Sequence, residues 1–262
     1  MQLSKSTLII LAGAALMVAG VFVALFLARG NVGSDNVPAV ASSKEDIERI
    51  VKNYLLENPE VIFEAVRRME TRENDQRMTR MKEGATKHAA DLFNRPDAII
   101  AGNPNGDVTI VEFFDYKCGY CRKIVPELSQ LIKQDGNIKL IMKEFPILSR
   151  ESEMAARAAV ASVKQGKYWD FHLALMSAEE ITPESVMAIA KSVGINTAQL
   201  ASDMAAPSSS DVITRNHDLA QKLGIEATPT FYIGETPYSG ALPLSELKEA
   251  VAAARKAKKK SG

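Results

Sequence analysis

The chain has 262 residues with 32 basic and 32 acidic side chains, so its formal net charge is zero; this argues against a nucleic-acid binder, which shows a basic excess or stripe. Hydrophobic residues at 46% and charged residues at 24% are the profile of a globular chain rather than a disordered one. The two cysteines, Cys118 and Cys121, exclude a disulfide-rich scaffold and a four-cysteine zinc site.

Leu8 to Ala28 is an uncharged run of 21 residues. As a helix it spans roughly 31 Å, about one bilayer core. Lys5 precedes it and Arg29 follows, so the flanking charges nearly cancel. The run is long for a signal peptide, whose apolar region is usually about 7–15 residues. Residues 1–29 are read as an uncleaved signal-anchor, with a signal peptide cleaved after Ala39-Val40-Ala41 as the other reading. Both export everything after Arg29, to a periplasmic or extracytoplasmic position; the first anchors it in the inner membrane by residues 8–28.

Residues 30–43, rich in Gly, Ser and Asn, are expected to be a flexible tether. Ser42 and Glu45 have the spacing of a capping box that opens a helix. Ile47, Ile50, Val51, Tyr54 and Leu55 then form one apolar helical stripe. Asn58-Pro59 ends that helix and starts another, with Pro at its first position. Ile62, Ala65, Val66 and Met69 repeat the stripe. From Glu70 to Glu83, 8 of 14 residues are charged, the pattern of a solvated helix or linker, and Gly84 is expected to break or bend it. A helix pair this short cannot bury its stripe alone. Residues 44–93 are therefore expected to self-associate or to dock on the domain that follows them in the chain. The heptad from Ile62 reaches Glu73, Gln76 and Arg80, so no sustained coiled coil is expected.

A second domain is expected from about Asn94 to residue 255. Ala98–Ala101 is a short strand, 103–107 a turn, and Val108–Phe114 a strand rich in β-branched and aromatic residues. Cys118 to about Gln134 is helical, with Ile124, Val125, Leu128, Leu131 and Ile132 on one face. Ile138–Phe145 is a strand, completing a βαβ unit. Residues 152–223 read as helical. Thr230–Ile233 is a strand, Gly234–Pro237 a turn and Tyr238–Gly240 a short partner strand. Ser245–Ala257 is a final helix, and residues 256–262 are a solvated basic tail. The fold class is α/β.

Cys118-Gly119-Tyr120-Cys121 has three ordinary readings. A zinc site needs two further ligands, but there is no other Cys, and His88, His172 and His217 are isolated. A haem attachment needs His directly after the second Cys, where Arg122 stands. A redox dithiol fits the position directly after a buried strand and at a helix start. The first helical turn offers free N–H groups and about half a positive charge to a thiolate at Cys118. A fall of about two units from the free value near ~8.5 would favour the thiolate by roughly 2.7 kcal/mol. Cys118 is expected to be exposed, and Cys121, one turn further in, to be buried and to resolve the mixed disulfide.

Glu112 shares a strand face with Ile110 and Phe114. A carboxylate there is costly unless paired or protonated. It reads as a buried proton acceptor for Cys121 or as a residue salt-bridged to Lys143. Pro229, in Ala227-Thr228-Pro229-Thr230, belongs at a strand start, where its missing donor does no harm. A cis Thr228-Pro229 bond would present the Thr228 backbone to a peptide; a trans bond is the ordinary alternative.

Phe113-Phe114-Asp115-Tyr116-Lys117-Cys118-Gly119-Tyr120-Cys121, Lys143-Glu144-Phe145-Pro146, the long helical stretch and Ala227-Thr228-Pro229-Thr230-Phe231 together resemble the DsbA-like branch of the thioredoxin superfamily, over about residues 94–255. The resemblance implies a thioredoxin-like fold with a helical insertion at about 150–215. It implies a nucleophile at Cys118, a resolving thiol at Cys121, a buried acid at Glu112 and a cis Pro229. Thr228, Tyr120 and Gly119 are then the substrate-binding positions.

The Gly119-Tyr120 pair and Thr228 depart from the strong oxidases of that branch. They are similar to the choices of DsbC and of the suppressor-of-copper-sensitivity protein ScsC, whose amino-terminal helical segment can trimerise. The expected activity is disulfide exchange, as isomerisation or as DsbA-type oxidation. The expected partners are protein substrates bearing thiols or disulfides, a membrane redox partner, and copies of the chain forming a trimer through residues 44–93. No cofactor or resident metal is expected. A holdase or Cu(I) carrier, with Met142 or Met154 adding a thioether, is the reading from another class.

Overall fold

A computed structural model of the chain describes residues 43–261. The expected span at Leu8–Ala28 and all but the last residue of the tether lie outside the described residues. Among the described residues, no helix is long and apolar enough to cross a membrane. The chain divides into two units, one ending at Arg67 and the other beginning at Arg68.

In the first unit, α1 (Lys44–Glu57) is capped by Ser43, whose Oγ accepts from the Asp46 N–H at 3.1 Å. The cap stands one residue later than the Ser42–Glu45 box. Ser43 Oγ also donates to the Asp46 carboxylate at 3.0 Å, a side-chain bond in place of the reciprocal backbone bond of a full capping box. No residue of α1 is buried. Ile47, Ile50, Val51, Tyr54, Ile62, Phe63 and Val66 all stand exposed.

The second helix, α2 (Glu60–Lys87), runs through Gly84 without the break that was one of the two expectations there, the other being a bend. Gly84 is there for close approach, because a Cβ at this position would lie 3.1 Å from Leu223 Cδ2. Met81 and Ala85 of α2 and Leu92 of α3 (Ala89–Phe93) are buried against Val111, Phe113, Ile141 and Tyr232. Packing of the second unit's core thus begins inside α2, ahead of the Asn94 boundary.

The second unit is built on five strands: β1 (Ile99–Gly102), β2 (Val108–Phe114), β3 (Ile138–Glu144), β4 (Thr230–Ile233) and β5 (Thr236–Ser239). Their order is β1-β3-β2-β4-β5. Only β2 and β3 run parallel, joined by α4 (Gly119–Asp135) as the expected βαβ unit. β5 starts two residues before its expected position, because only Gly234 and Glu235 separate it from β4. Pro237 is accommodated on this edge strand, opposite Tyr232.

Alternation along β2 sends Val108, Ile110 and Phe114 to one core, with α4 and the helical insertion. Val111 and Phe113 go to the other core, with α2 and α3. Between β3 and β4 lie α5 (Arg150–Ser162), a 3-10 turn (Val163–Gln165), α6 (Tyr168–Ser177), α7 (Pro183–Ser192), α8 (Thr197–Ala205) and α9 (Pro207–Leu223). The last does not stop near 215. Leu219, Ala220 and Leu223 continue it into the second core.

The final helix, α10 (Leu244–Ser261), carries the basic residues expected as a tail. Arg255 forks between Asp107 at 2.7 Å and Asp135 at 2.6 Å. Lys258 Nζ donates to the Asp107 carbonyl at 3.0 Å. These bonds tie the helix end to the loop before β2 and to the end of α4.

Candidate active site

The central strand β2 delivers the chain to one end of the sheet, and a turn then hands it to α4. The turn is closed by the Cys118 N–H donating to the Asp115 carbonyl at 3.1 Å. The buried Asp115 carboxylate accepts three backbone N–H bonds, from Lys117 at 2.7 Å, Ile147 at 2.8 Å and Leu148 at 3.0 Å. Arg122 Nε donates to the Tyr116 carbonyl at 2.8 Å, and its Nη1 to the Ala178 carbonyl at 2.6 Å. One arginine therefore ties the turn to the end of α6.

Cys118 is the N-cap of α4, with extended backbone angles, and its Sγ accepts from the Cys121 N–H at 3.4 Å. Both thiols are free. Cys121 is fully buried, as expected, but Cys118 is only 6% exposed, well below the open sulfur expected. A thiol at Cys118 also donates to the Thr228 carbonyl at 3.2 Å, so the loop before β4 covers the sulfur. The Thr228-Pro229 bond is cis, as the resemblance implied.

The Cys118 thiol is pulled down to about 5, first by the hydrogen bond with Cys121, then by the Thr228 side chain and by the backbone N–H groups of Cys121 and Tyr120, against the opposing effect of burial. Cys121 is driven the other way, by burial first, then by its bond to Cys118 and the charge of Glu112. The two sulfurs thus divide into a ready thiolate and a held proton.

Glu112 is fully buried. Burial, with the charge at Cys118, pushes its carboxyl up to about 8. Neither carboxyl oxygen has a hydrogen-bond partner. The alternative salt bridge with Lys143 does not form. Lys143 aligns with Phe113 and so points to the opposite face of the sheet, where its Nζ donates to the Asp91 carbonyl at 2.9 Å.

Gly119 faces open space and Tyr120 is 67% exposed beside the dithiol. A cleft of about 430 Å³ runs from Tyr120, Lys123, Ile124 and Glu127 to the loop 240–243. The structure therefore brings Cys118, Cys121, Thr228 and Pro229 together, with Glu112 beneath and Gly119 and Tyr120 at the rim.

Residues 94–253 match the family described as Thioredoxin. The chain belongs to the thioredoxin family. Residues 44–76 also match the copper resistance protein ScsC N-terminal domain, which marks this thioredoxin-family chain as DsbA-like and of ScsC type.

Solved structures similar to it include two that each cover about two thirds of the chain. A thioredoxin-like oxidoreductase from Silicibacter pomeroyi is 46% identical, over 64% of this chain and 97% of that one, with a TM-score of 0.62. The thiol-disulfide exchange protein alpha-DsbA2 from Wolbachia pipientis is 32% identical, over 68% of this chain and 97% of that one, with a TM-score of 0.64. Disulfide bond formation protein D of Bacillus subtilis is 28% identical, over 58% of this chain and 74% of its own. The chain also matches Na(+)/H(+) antiporters NhaA from Salinispora species, of whose length it spans about a quarter.

Sequence reasoning missed Asp115, Tyr116, Arg122 and Glu144 as parts of the site's support. Glu144 carried a usable signal, since it shares the strand parity of Ile138, Leu140 and Met142 and therefore points inward. The Tyr116 hydroxyl carried none, because its partners lie far along the chain, as does Ala178, the second partner of Arg122.

Proposed function

We propose that this thioredoxin-family protein is an exported thiol–disulfide oxidoreductase, acting on protein substrates through Cys118 and Cys121, with isomerisation of mispaired disulfides as its task. The observation that carries the reading is the Cys118 sulfur at the start of α4, held near pKa 5 one turn before a buried, protonated Cys121.

The Cys118 thiolate attacks a client disulfide. A mixed disulfide forms, and the displaced client thiolate takes a proton from solvent. In isomerisation another client thiolate attacks the client sulfur of the mixed disulfide. That step releases Cys118 as thiolate, and no net electrons move. When the client escapes reduced, Cys121 passes its proton to the fraction of Glu112 that is ionised at working pH, attacks Cys118 Sγ and releases the client thiolate. In the reverse direction a client thiolate attacks the Cys118–Cys121 disulfide at Cys118. Cys121 leaves as a thiolate, and Glu112, protonated at neutral pH, returns its proton. The Thr228 backbone, Gly119 and the Tyr120 ring receive the client segment, and Pro229 shapes the loop that does so.

Support for isomerisation comes from Gly119-Tyr120 and Thr228 and from the exposed apolar side chains of residues 44–69. Self-association through residues 44–93, as a trimer, would turn several dithiols toward one client and raise their effective concentration. Anchoring by residues 8–28 would place the site outside the cytoplasm, beside a membrane redox partner that resets it.

DsbA-type oxidation is the second reading. The low Cys118 pKa favours it, because stabilising the reduced form makes the disulfide more oxidising. Insulin reduction and refolding of scrambled ribonuclease, compared for the wild type and Cys118→Ser, test the common claim. Unchanged activity in Cys118→Ser overturns it. Catalysed reshuffling without net oxidant separates the isomerase from the oxidase.

A further inference from the structure

Beneath the dithiol lies a second buried carboxyl that the exchange chemistry does not use. Glu144, at the end of β3, is fully buried on the same sheet face as Glu112. Its Oε1 accepts from two phenols, Tyr116 at 3.0 Å and Tyr168 at 2.7 Å, while its Oε2 has no hydrogen-bond partner. His172 Nδ1, from α6, lies 3.2 Å from the Tyr116 hydroxyl. The Asn216 side chain of α9 donates to the Glu144 carbonyl at 3.0 Å.

An apolar side chain of the same size would be easier to bury here than a carboxyl with one oxygen unmatched. What the carboxyl supplies is a fixed point shared by three segments: β3, the helical insertion through Tyr168, and the turn before the motif through Tyr116. Tyr116 stands two residues before Cys118, and its own carbonyl is held by Arg122. Ring and carbonyl are therefore both tied, which opposes rotation of the turn. The Cys121 N–H to Cys118 Sγ bond, at 3.4 Å, is the contact that a displacement of the turn would stretch and misalign.

Resting on the reading of this site as a reactive dithiol, we propose that Glu144 is a positioning residue, which acts through Tyr116 to hold the turn that presents Cys118 to the first N–H groups of α4. It touches neither sulfur. Burial keeps its carboxyl well above the usual carboxylate range, with hydrogen bonds from Tyr168 and Tyr116 opposing. A glutamine at this position keeps a side-chain oxygen that can accept from the two phenols.

The test is the pH dependence of iodoacetamide alkylation of Cys118 in the reduced full-length protein, with near-ultraviolet circular dichroism to confirm folding. Tyr116→Phe and Glu144→Leu are expected to raise the alkylation midpoint by about half a unit, slowing the reaction about threefold below the wild-type midpoint. Glu144→Gln is expected to keep the wild-type midpoint. A folded Tyr116→Phe protein with the wild-type profile overturns the inference, and it decides the matter even if Glu144→Leu fails to fold. A wild-type midpoint near that of a free cysteine would overturn the functional reading and this inference together, whereas a low wild-type midpoint unmoved by Tyr116→Phe overturns this inference alone.

Discussion

The Sγ of Cys118 accepts the backbone N–H of Cys121 at 3.4 Å, so the sulfur caps the helix that its own motif begins. A thiolate makes this cap stronger than a thiol does. The folded pKa of about 5 lies below the value near ~8.5 of an unfolded cysteine. The thiolate's contribution to the stability of the reduced protein is then full above pH ~8.5, and it is lost as pH falls toward 5. Reduced wild type should gain stability over Cys118→Ser steadily across that window in urea unfolding. A difference that does not vary with pH would refute the thiolate cap.

Glu112 has the opposite sign. Its folded pKa of about 8 lies above that of an unfolded carboxyl, so it costs nothing at low pH. The cost grows as pH rises through neutrality and levels off above 8. Glu112→Gln should be more stable than wild type at pH 8, by roughly 2–4 kcal/mol at most, with the gain fading by pH 5. If Glu112 serves Cys121, the same variant should accumulate mixed disulfides with client proteins, visible on non-reducing gels. Gain of stability without such accumulation would leave Glu112 a buried acid with no part in resolution.

Much of this site is local in sequence and therefore legible there. The β-branched run at Val108–Phe114 announces a strand, and period-two alternation alone sends Glu112 inward. Cys118 and Cys121 announce themselves by their place at a helix start. The helix cap was ambiguous because Ser42 and Ser43 are each followed three residues later by an acid, and only backbone geometry chooses between them. Gly84 looks like a helix breaker until Leu223 is seen lying against it. The support beneath the dithiol was hidden for a different reason. Tyr116 meets Glu144 and His172 across 28 and 56 residues of chain, and no periodicity encodes pairings of that range.

Lys143 offers a stability test away from the dithiol. Burial lowers its pKa to about 8, with the Arg95 charge adding to the effect. Below pH 8 it must carry a charge in a nearly closed site. The penalty is absent above the unfolded lysine value of ~10.4, grows as pH falls toward 8, and is full below that. Lys143→Met removes it but leaves the Asp91 carbonyl without its donor. The net expectation is a gain of about 1–2 kcal/mol at pH 7 that shrinks as pH approaches 10. A loss of stability at pH 7 would mean that the bond to Asp91 outweighs the buried charge.

The two units allow the assembly claim to be tested without destroying the catalytic body. Deletion through residue 92 would remove Met81, Ala85 and Leu92 from the second core, and its failure to fold would say nothing about self-association. Deletion of residues 43–67 ends where the first unit ends and leaves that core whole. In the full chain, Val51→Asp with Val66→Asp places charges among exposed apolar side chains and changes no buried residue. Both changes should convert an oligomer into a monomer in light scattering of detergent-solubilised protein. Cys118 alkylation should stay at its wild-type rate, because the dithiol belongs to the other unit. Ribonuclease reshuffling should fall by about tenfold or more if several sites must share one client. An unchanged mass after both alterations would remove the apolar segment from the assembly, and unchanged reshuffling in a proven monomer would show that one dithiol suffices.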